Sequence, residues 1–294
     1  MAQVIGGLFT SHVPAIGNAI AKGTQADPYW KPFFDGFIPA QRWLDAKQPD
    51  IAVVFYNDHG LNFFLDKMPT FAIGAAASYR HADEGWGLQT FKPFVGAQTL
   101  SWHIINRLVE DEFDVTTCQE MLVDHGFAIP FELFWPGAAS WPVTVVPIEI
   151  NTVLHPLPSP RRCLALGRAV GRALRSWQGP EKIVVLGTGG LSHQLDGTRA
   201  GFINKDYDRF CLDTIGPDPD ALTEHSALDI VELAGSQGIE ILNWIAARGA
   251  IGDQITEISR NYHVPISNTA AATLVLESCA EQPTAAKLSL VEAA

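Results

Sequence analysis

Of the nine histidines in the chain, three stand just past short apolar runs. His12 lies in TSHVP after Val4–Phe9, His59 in YNDHG after Ile51–Tyr56, and His193 in GGLSHQ after Lys182–Gly187. An imidazole titrates near neutrality and ligates divalent metals, so converging histidines can build a proton relay or a metal centre. In open α/β sheets, chemistry collects beyond the carboxyl ends of the strands, where all three would stand. His125, in VDHG, is a fourth candidate, in a Gly-flanked, turn-like segment after a helical stretch. A single histidine past a strand is most often a surface or hydrogen-bonded core residue. It is the repetition that points to a site.

Two histidines and one carboxylate with open positions form the facial set of non-haem Fe(II) oxygenases. The same residues around an activated water would serve a zinc hydrolase. The carboxylate candidates are Asp58, Asp124, Glu149 and Glu240. Asp58 and Asp124 directly precede His59 and His125, and they equally suit turns or caps. Glu149 alternates within Val143–Ile150 and is a candidate buried partner. Glu240 sits among Ile239, Ile241, Leu242, Trp244 and Ile245, and a carboxylate in so apolar a segment is expected to be paired or metal-bound. An exposed first-turn glutamate, favoured by the helix dipole, is the competing reading.

The four apolar runs, Val143–Ile150 included, read as strands buried on both faces. Amphipathic stretches at Gln98–Glu112 and Arg161–Trp177 read as helices, and a third helix over Gly238–Arg248 is expected to begin near Ser236. The alternation predicts an α/β fold, a central, mostly buried sheet flanked by helices. No Gly/Ser linker divides the chain, so one catalytic domain is expected over 1–281, with a C-terminal tail over 282–294. At 294 residues and 47% hydrophobic content, a large core is expected and wholesale disorder is excluded. A net charge of −12 argues against a nucleic-acid partner. No run is long and apolar enough for a membrane helix, and the N-terminus lacks the basic start of a secretory signal. Four scattered cysteines without a CxxC pair fit the reduced thiols of a cytoplasmic enzyme.

Beyond these patterns, the chain resembles the class III extradiol ring-cleavage dioxygenases, and within them the catalytic β subunits of protocatechuate 4,5-dioxygenases. TSHVPAIG, YNDHG, PTFAIG with ADEGWG, VDHG, GTGGLSHQL, GSQGIEILNWIAARGA and NYHVPISNTA carry the resemblance, in this order, over nearly the whole chain. It implies Fe(II) held by His12, His59 and Glu240, with His193 as the acid/base histidine and His125 as a second active-site histidine. Asn57 and Ser267 would lie near the substrate, and Ser267-Asn268-Thr269 offers donors for a ring carboxylate. An ordinary turn after Pro265 is the competing reading of Ser267.

The implied reaction opens protocatechuate at the 4,5 bond with O2 to give 4-carboxy-2-hydroxymuconate-6-semialdehyde, in aromatic catabolism. Gallate or 3-O-methylgallate is the alternative substrate, and a zinc-dependent hydrolase is the alternative chemistry. The resemblance also implies a separate small α subunit in an α2β2 hetero-oligomer. Trp30, Phe33, Phe34, Phe63 and Phe64 are candidates for its docking surface, against a core role for the same rings.

Overall fold

The computed structural model describes residues 2–85 and 91–279, and each of the four apolar runs is a strand. The expected tail over 282–294 lies outside the described residues. β1 (Gln3–Thr10) is followed by α1 (Pro14–Lys22), α2 (Lys31–Asp35) and α3 (Ile38–Lys47). Next come β2 (Ile51–Tyr56), β3 (Phe71–Gly74), β4 (Ser78–His81), β5 (Phe94–Val95) and α4 (Gln98–Glu110). β6 (Thr116–Cys118) and β7 (Leu122–Val123) lead into α5 (His125–Phe134), β8 (Thr144–Ile150), α6 (Pro160–Ser176) and β9 (Lys182–Thr188). Then follow α7 (Lys205–Thr214), α8 (Ala227–Ala234), a 3-10 turn at Gly238–Glu240 and α9 (Ile241–Ala250). A long hairpin of β10 (Ile255–Ile266) and β11 (Thr269–Ser278) comes last.

One eight-stranded sheet runs in the order β10-β11-β1-β9-β2-β8-β3-β6. β1, β9, β2 and β8 are mutually parallel at its centre, and β11 and β3 flank them antiparallel. Every residue of β2 is buried. Val53 and Phe55 pack with α4, α6 and α9 on one face, while Ala52, Val54 and Tyr56 pack with α1, α3 and α5 on the other. Burial on both faces is why this strand is apolar throughout instead of alternating.

The helix that follows Glu240 is anchored firmly. A Cβ on Gly167 would collide with the carbonyl oxygen of Ala246, so α6 and α9 approach more closely than side chains allow. Trp244 is fully buried, packs 5.5 Å from the Phe9 ring and donates its indole N–H to the Gly189 carbonyl at 2.8 Å. Truncating a ring buried like this costs about 3–5 kcal/mol.

Several expectations are corrected. The segment after Ser236 opens with a 3-10 turn, and α9 proper begins only at Ile241, because the Gln237 and Gly238 N–H groups are used on the His193 carbonyl. The helix from Gln98 stops at Glu110, and Glu112 adopts a positive φ of 65°. His125 is not in a turn: it opens α5, capped by the Asp124 side chain. Phe33 and Phe63 are buried, and only Phe64 of the five proposed docking aromatics is exposed.

Candidate metal centre

The parallel order β1-β9-β2 brings three separate segments together at the carboxyl ends of these central strands. His12, His59 and His193 each follow the carboxyl end of one of these strands, and Glu240 closes the 3-10 turn before α9. His12 Nε2 lies 3.4 Å from Glu240 Oε2, and His59 Nε2 lies 3.6 Å from Glu240 Oε1. His12, His59 and His125 each bring a ring nitrogen to within 4.8 Å of the other two.

Each of these rings is held by its other nitrogen. His12 Nδ1 shares a hydrogen bond with the Thr188 hydroxyl at 3.1 Å. His59 Nδ1 donates to Asp124 Oδ2 at 2.8 Å, and His125 Nδ1 donates to Glu84 Oε2 at 2.6 Å. Partners of this kind fix ring orientation and direct the Nε2 atoms inward, as around metal-ligating imidazoles.

Glu240 is buried, which rules out the exposed first-turn reading. Burial pushes its carboxyl pKa up, but His12 and His59 outweigh that and hold it well below the usual range. Its Oε2 accepts the Gly190 N–H at 3.1 Å, and its Oε1 accepts from Asn57 Nδ2 at 3.4 Å. The Asn57 amide is itself oriented, because its oxygen accepts from Asn243 Nδ2 at 3.0 Å. Gly189 has φ +107°, and a Cβ there would stand 2.6 Å from the Glu240 Cβ. The backbone therefore closes on the carboxylate where only glycine is unstrained.

The donor set fits a divalent metal. His12 Nε2 is buried with no hydrogen-bond partner, although it faces a carboxylate. An orphaned imidazole nitrogen beside a second imidazole and an ionised carboxylate is a donor set of the type that divalent transition metals take.

A cavity of about 220 Å³ opens on this cluster, walled by all four histidines, Glu240, Gln237, Ser267 and Thr269. His193 is held there by its backbone: its N–H donates to the Ala234 carbonyl at 2.7 Å, and it bridges to Thr269. Burial lowers its pKa, which favours the neutral imidazole. The Thr269 hydroxyl is buried without a hydrogen-bond partner. Ser267 is exposed at the rim, has φ 55° and donates its N–H to Tyr29 Oη at 3.2 Å. Of the expected substrate contacts, Asn57 lies beneath Glu240 instead of in the cavity wall, and Asn268 lies outside that wall with its Oδ1 beside Gly201. A larger open groove of about 640 Å³ runs along α6, but Arg168 and Arg172 at its wall are paired with Asp220 and Asp111.

The other carboxylates have separate tasks. Asp58 accepts the N–H groups of Gly60, Leu61, Asn62 and Phe63 and so builds the turn after His59. Glu149 is buried, and that burial, with Asp58 nearby, raises its pKa. Asp124 both caps α5 and holds His59. Two residues went unnoticed in the sequence. Glu84 reaches His125, and its only signal was its place in ADEGWG, three residues after His81. Gln237 gives no signal beyond GSQG; its Oε1 accepts the Leu195 N–H at 3.0 Å and the Ser236 hydroxyl at 2.8 Å, leaving its amide NH2 group as the donor.

Known proteins similar to this chain include ring-opening dioxygenases. Gallate dioxygenase of Pseudomonas putida is 38% identical over 197 residues, covering 67% of this chain and 58% of that protein. The 2,3-dihydroxyphenylpropionate/2,3-dihydroxicinnamic acid 1,2-dioxygenase of Photorhabdus laumondii is 33% identical over 184 residues, covering 63% of this chain and 54% of that protein. The chain thus spans a little over half the length of these relatives. An uncharacterized protein of Escherichia coli K12 shares the fold, with a TM-score of 0.59 at 14% identity over 92% of this chain and 99% of that one. The family model described as the catalytic LigB subunit of aromatic ring-opening dioxygenase matches residues 6–275. That match runs from the first strand of the sheet into the last, and the chain belongs to the LigB family of aromatic ring-opening dioxygenases.

Proposed function

We propose that this chain is an Fe(II)-dependent extradiol dioxygenase for a catechol that carries a carboxylate, with gallate the foremost substrate and protocatechuate the second. His12, His59 and Glu240 would hold the iron. The observation that carries this reading is the Glu240 carboxylate between two imidazoles, 3.4 and 3.6 Å away, at the floor of a cavity walled by two further histidines. The 38% identity to a gallate dioxygenase favours gallate over protocatechuate. When bound, iron(II) supplies a common binding place where diol and O2 exchange electron density, since triplet O2 reacts poorly with a singlet ring.

The chain's own residues have distinct tasks. His193, neutral through burial, accepts a proton from one diol hydroxyl and returns it to the ring-opened product. Apolar Val13, Pro14, Ala15 and Leu195 contact the ring faces and exclude water. The hydroxyls of Thr269 and Ser267 and the amide of Gln237 receive the ring carboxylate, leaving the diol to face Glu240 and the histidines. Both oxygen atoms of O2 enter the product, one in the acid formed at the diol carbon and one at the other carbon of the broken bond, which becomes an aldehyde from protocatechuate and a second acid from gallate. The reading includes a cytoplasmic enzyme with a small α chain beside Leu195 at the cavity rim, in an α2β2 assembly.

The test is oxygen uptake by anaerobically Fe(II)-loaded protein given gallate, protocatechuate and unsubstituted catechol. Stoichiometric uptake with a ring-opened product supports extradiol cleavage. No uptake with any of the three, together with tightly held zinc, overturns it in favour of a hydrolase.

A further inference from the structure

Glu84 lies outside the residues that touch the proposed iron, yet it makes two contacts with one active-site residue. Its Oε1 accepts the backbone N–H of His125 at 2.7 Å, and its Oε2 accepts the ring Nδ1–H at 2.6 Å. The Glu84 side chain is 3% exposed and that of His125 is 2% exposed, so water does not compete for either bond. His81 Nε2 stands 3.4 Å from Oε1 without hydrogen-bonding geometry, and the Phe91 ring packs 4.9 Å from the His81 ring. The carboxylate is thus boxed between two histidines, behind the cavity wall.

A carboxylate accepts and cannot donate, so the bond at Nδ1 places the ring proton there. The other nitrogen, Nε2, then presents a lone pair. We infer that Glu84 is the positioning residue that locks His125 in its Nδ1–H tautomer, so that His125 meets the bound diol as a hydrogen-bond acceptor and not as a donor. The inference rests on the extradiol reading for its consequence in turnover, but the tautomer itself follows from the contacts alone. The lock divides the work between two histidines. His193, held through its backbone and with no carboxylate hydrogen-bonded to its ring among the described residues, can gain and lose a proton; His125 keeps one orientation throughout.

The Glu84→Gln variant is nearly isosteric and reverses the lock. Its amide oxygen still takes the backbone N–H, but its NH2 group meets Nδ1 and drives the ring proton to Nε2. Nitrogen-15 NMR of histidine-labelled protein, metal-free and zinc-loaded, reads the tautomer directly, with His125→Gln assigning the signal. The expected result is Nδ1–H in the wild type and Nε2–H in Glu84→Gln. Turnover of the iron-loaded variant should fall roughly 10- to 100-fold in kcat, with KM changed less and iron content kept, the range typical for such supporting partners. Wild-type His125 found as Nε2–H would overturn the inference, as would an inverted tautomer with unchanged kcat. The wild-type spectrum needs no variant to fold. If the wild type does not consume O2 at all, the extradiol reading fails while the tautomer assignment is still decided by NMR.

Discussion

Asp124 holds His59 twice: one carboxylate oxygen accepts both the backbone N–H and the ring Nδ1–H of that residue, each at 2.8 Å. The same aspartate caps α5 through the Phe127 N–H at 3.2 Å. Its pKa is pushed up by burial, but the His59 contacts outweigh this and hold it far below the usual range. Metal-site geometry and helix initiation therefore share one buried side chain.

Asp124→Asn should weaken both. The lost charge at the His59 ring should lower metal affinity about 10- to 100-fold. The cap is partly kept by the amide oxygen, so the stability loss should stay near 1 kcal/mol. Isothermal titration with Fe(II), beside chemical denaturation of the metal-free protein, separates the two effects. An unchanged metal affinity would show that His59 needs no fixed tautomer.

His12→Ala, His59→Ala and Glu240→Ala should each lose iron and activity together. Chelation should abolish oxygen uptake in the wild type, with Fe(II) restoring it and Zn(II) failing to. Full iron content in any one of these variants would remove that residue from the proposed ligand set.

Gly189→Ala tests the close approach of the backbone to Glu240. The new methyl would stand 2.6 Å from the Glu240 Cβ at a φ of +107°. Iron binding should fall at least about tenfold, as for loss of a supporting partner. Metal analysis after gel filtration reads the loss in protein that remains folded.

The buried, unpartnered hydroxyl of Thr269 and the place of Gln237 in the cavity wall predict a substrate-dependent effect. Thr269→Val preserves shape and removes the hydrogen bond, which is worth about 1.5–3 kcal/mol to a charged group. KM should rise at least roughly tenfold for gallate and protocatechuate, by that same energy, and stay flat for unsubstituted catechol. Ser267→Ala and Gln237→Leu should follow the same pattern. Equal changes for all three substrates would place these residues away from the carboxylate.

The pH profile should carry the mark of His193. Burial lowers its pKa, so the neutral base persists below the ordinary histidine value of 6.5. The acid limb of kcat/KM should therefore fall below pH 6.5, and His193→Ala should remove it while keeping iron. An acid limb at or above 6.5 would assign the base elsewhere.

Strand runs, the α/β class and the histidines at strand ends were legible in the sequence, because apolar periodicity and turn residues are local signals. Ile51–Tyr56 has the same limits in sequence and structure, since a strand buried on both faces has no polar residue within it. The α5 helix was not legible: Pro130 lies inside it and nine of its ten residues are buried, so neither the usual propensity nor an amphipathic stripe announces it. The competing readings of Glu240, exposed or buried, could be decided only by the approach of α9 to β9, which places Gly189 and Gly190 against its carboxylate.

The sequence by itself determined which residue types were available and where the sheet would deliver them. The fold determined the partnerships: Asp124 with His59 across 65 residues and Glu84 with His125 across 41. Such pairs leave no periodicity along the chain. They exist because the parallel order β1-β9-β2 and the start of α5 bring distant segments within hydrogen-bond reach at the carboxyl ends of the central strands. Burial then makes each carboxylate bind the imidazole nitrogen beside it instead of water.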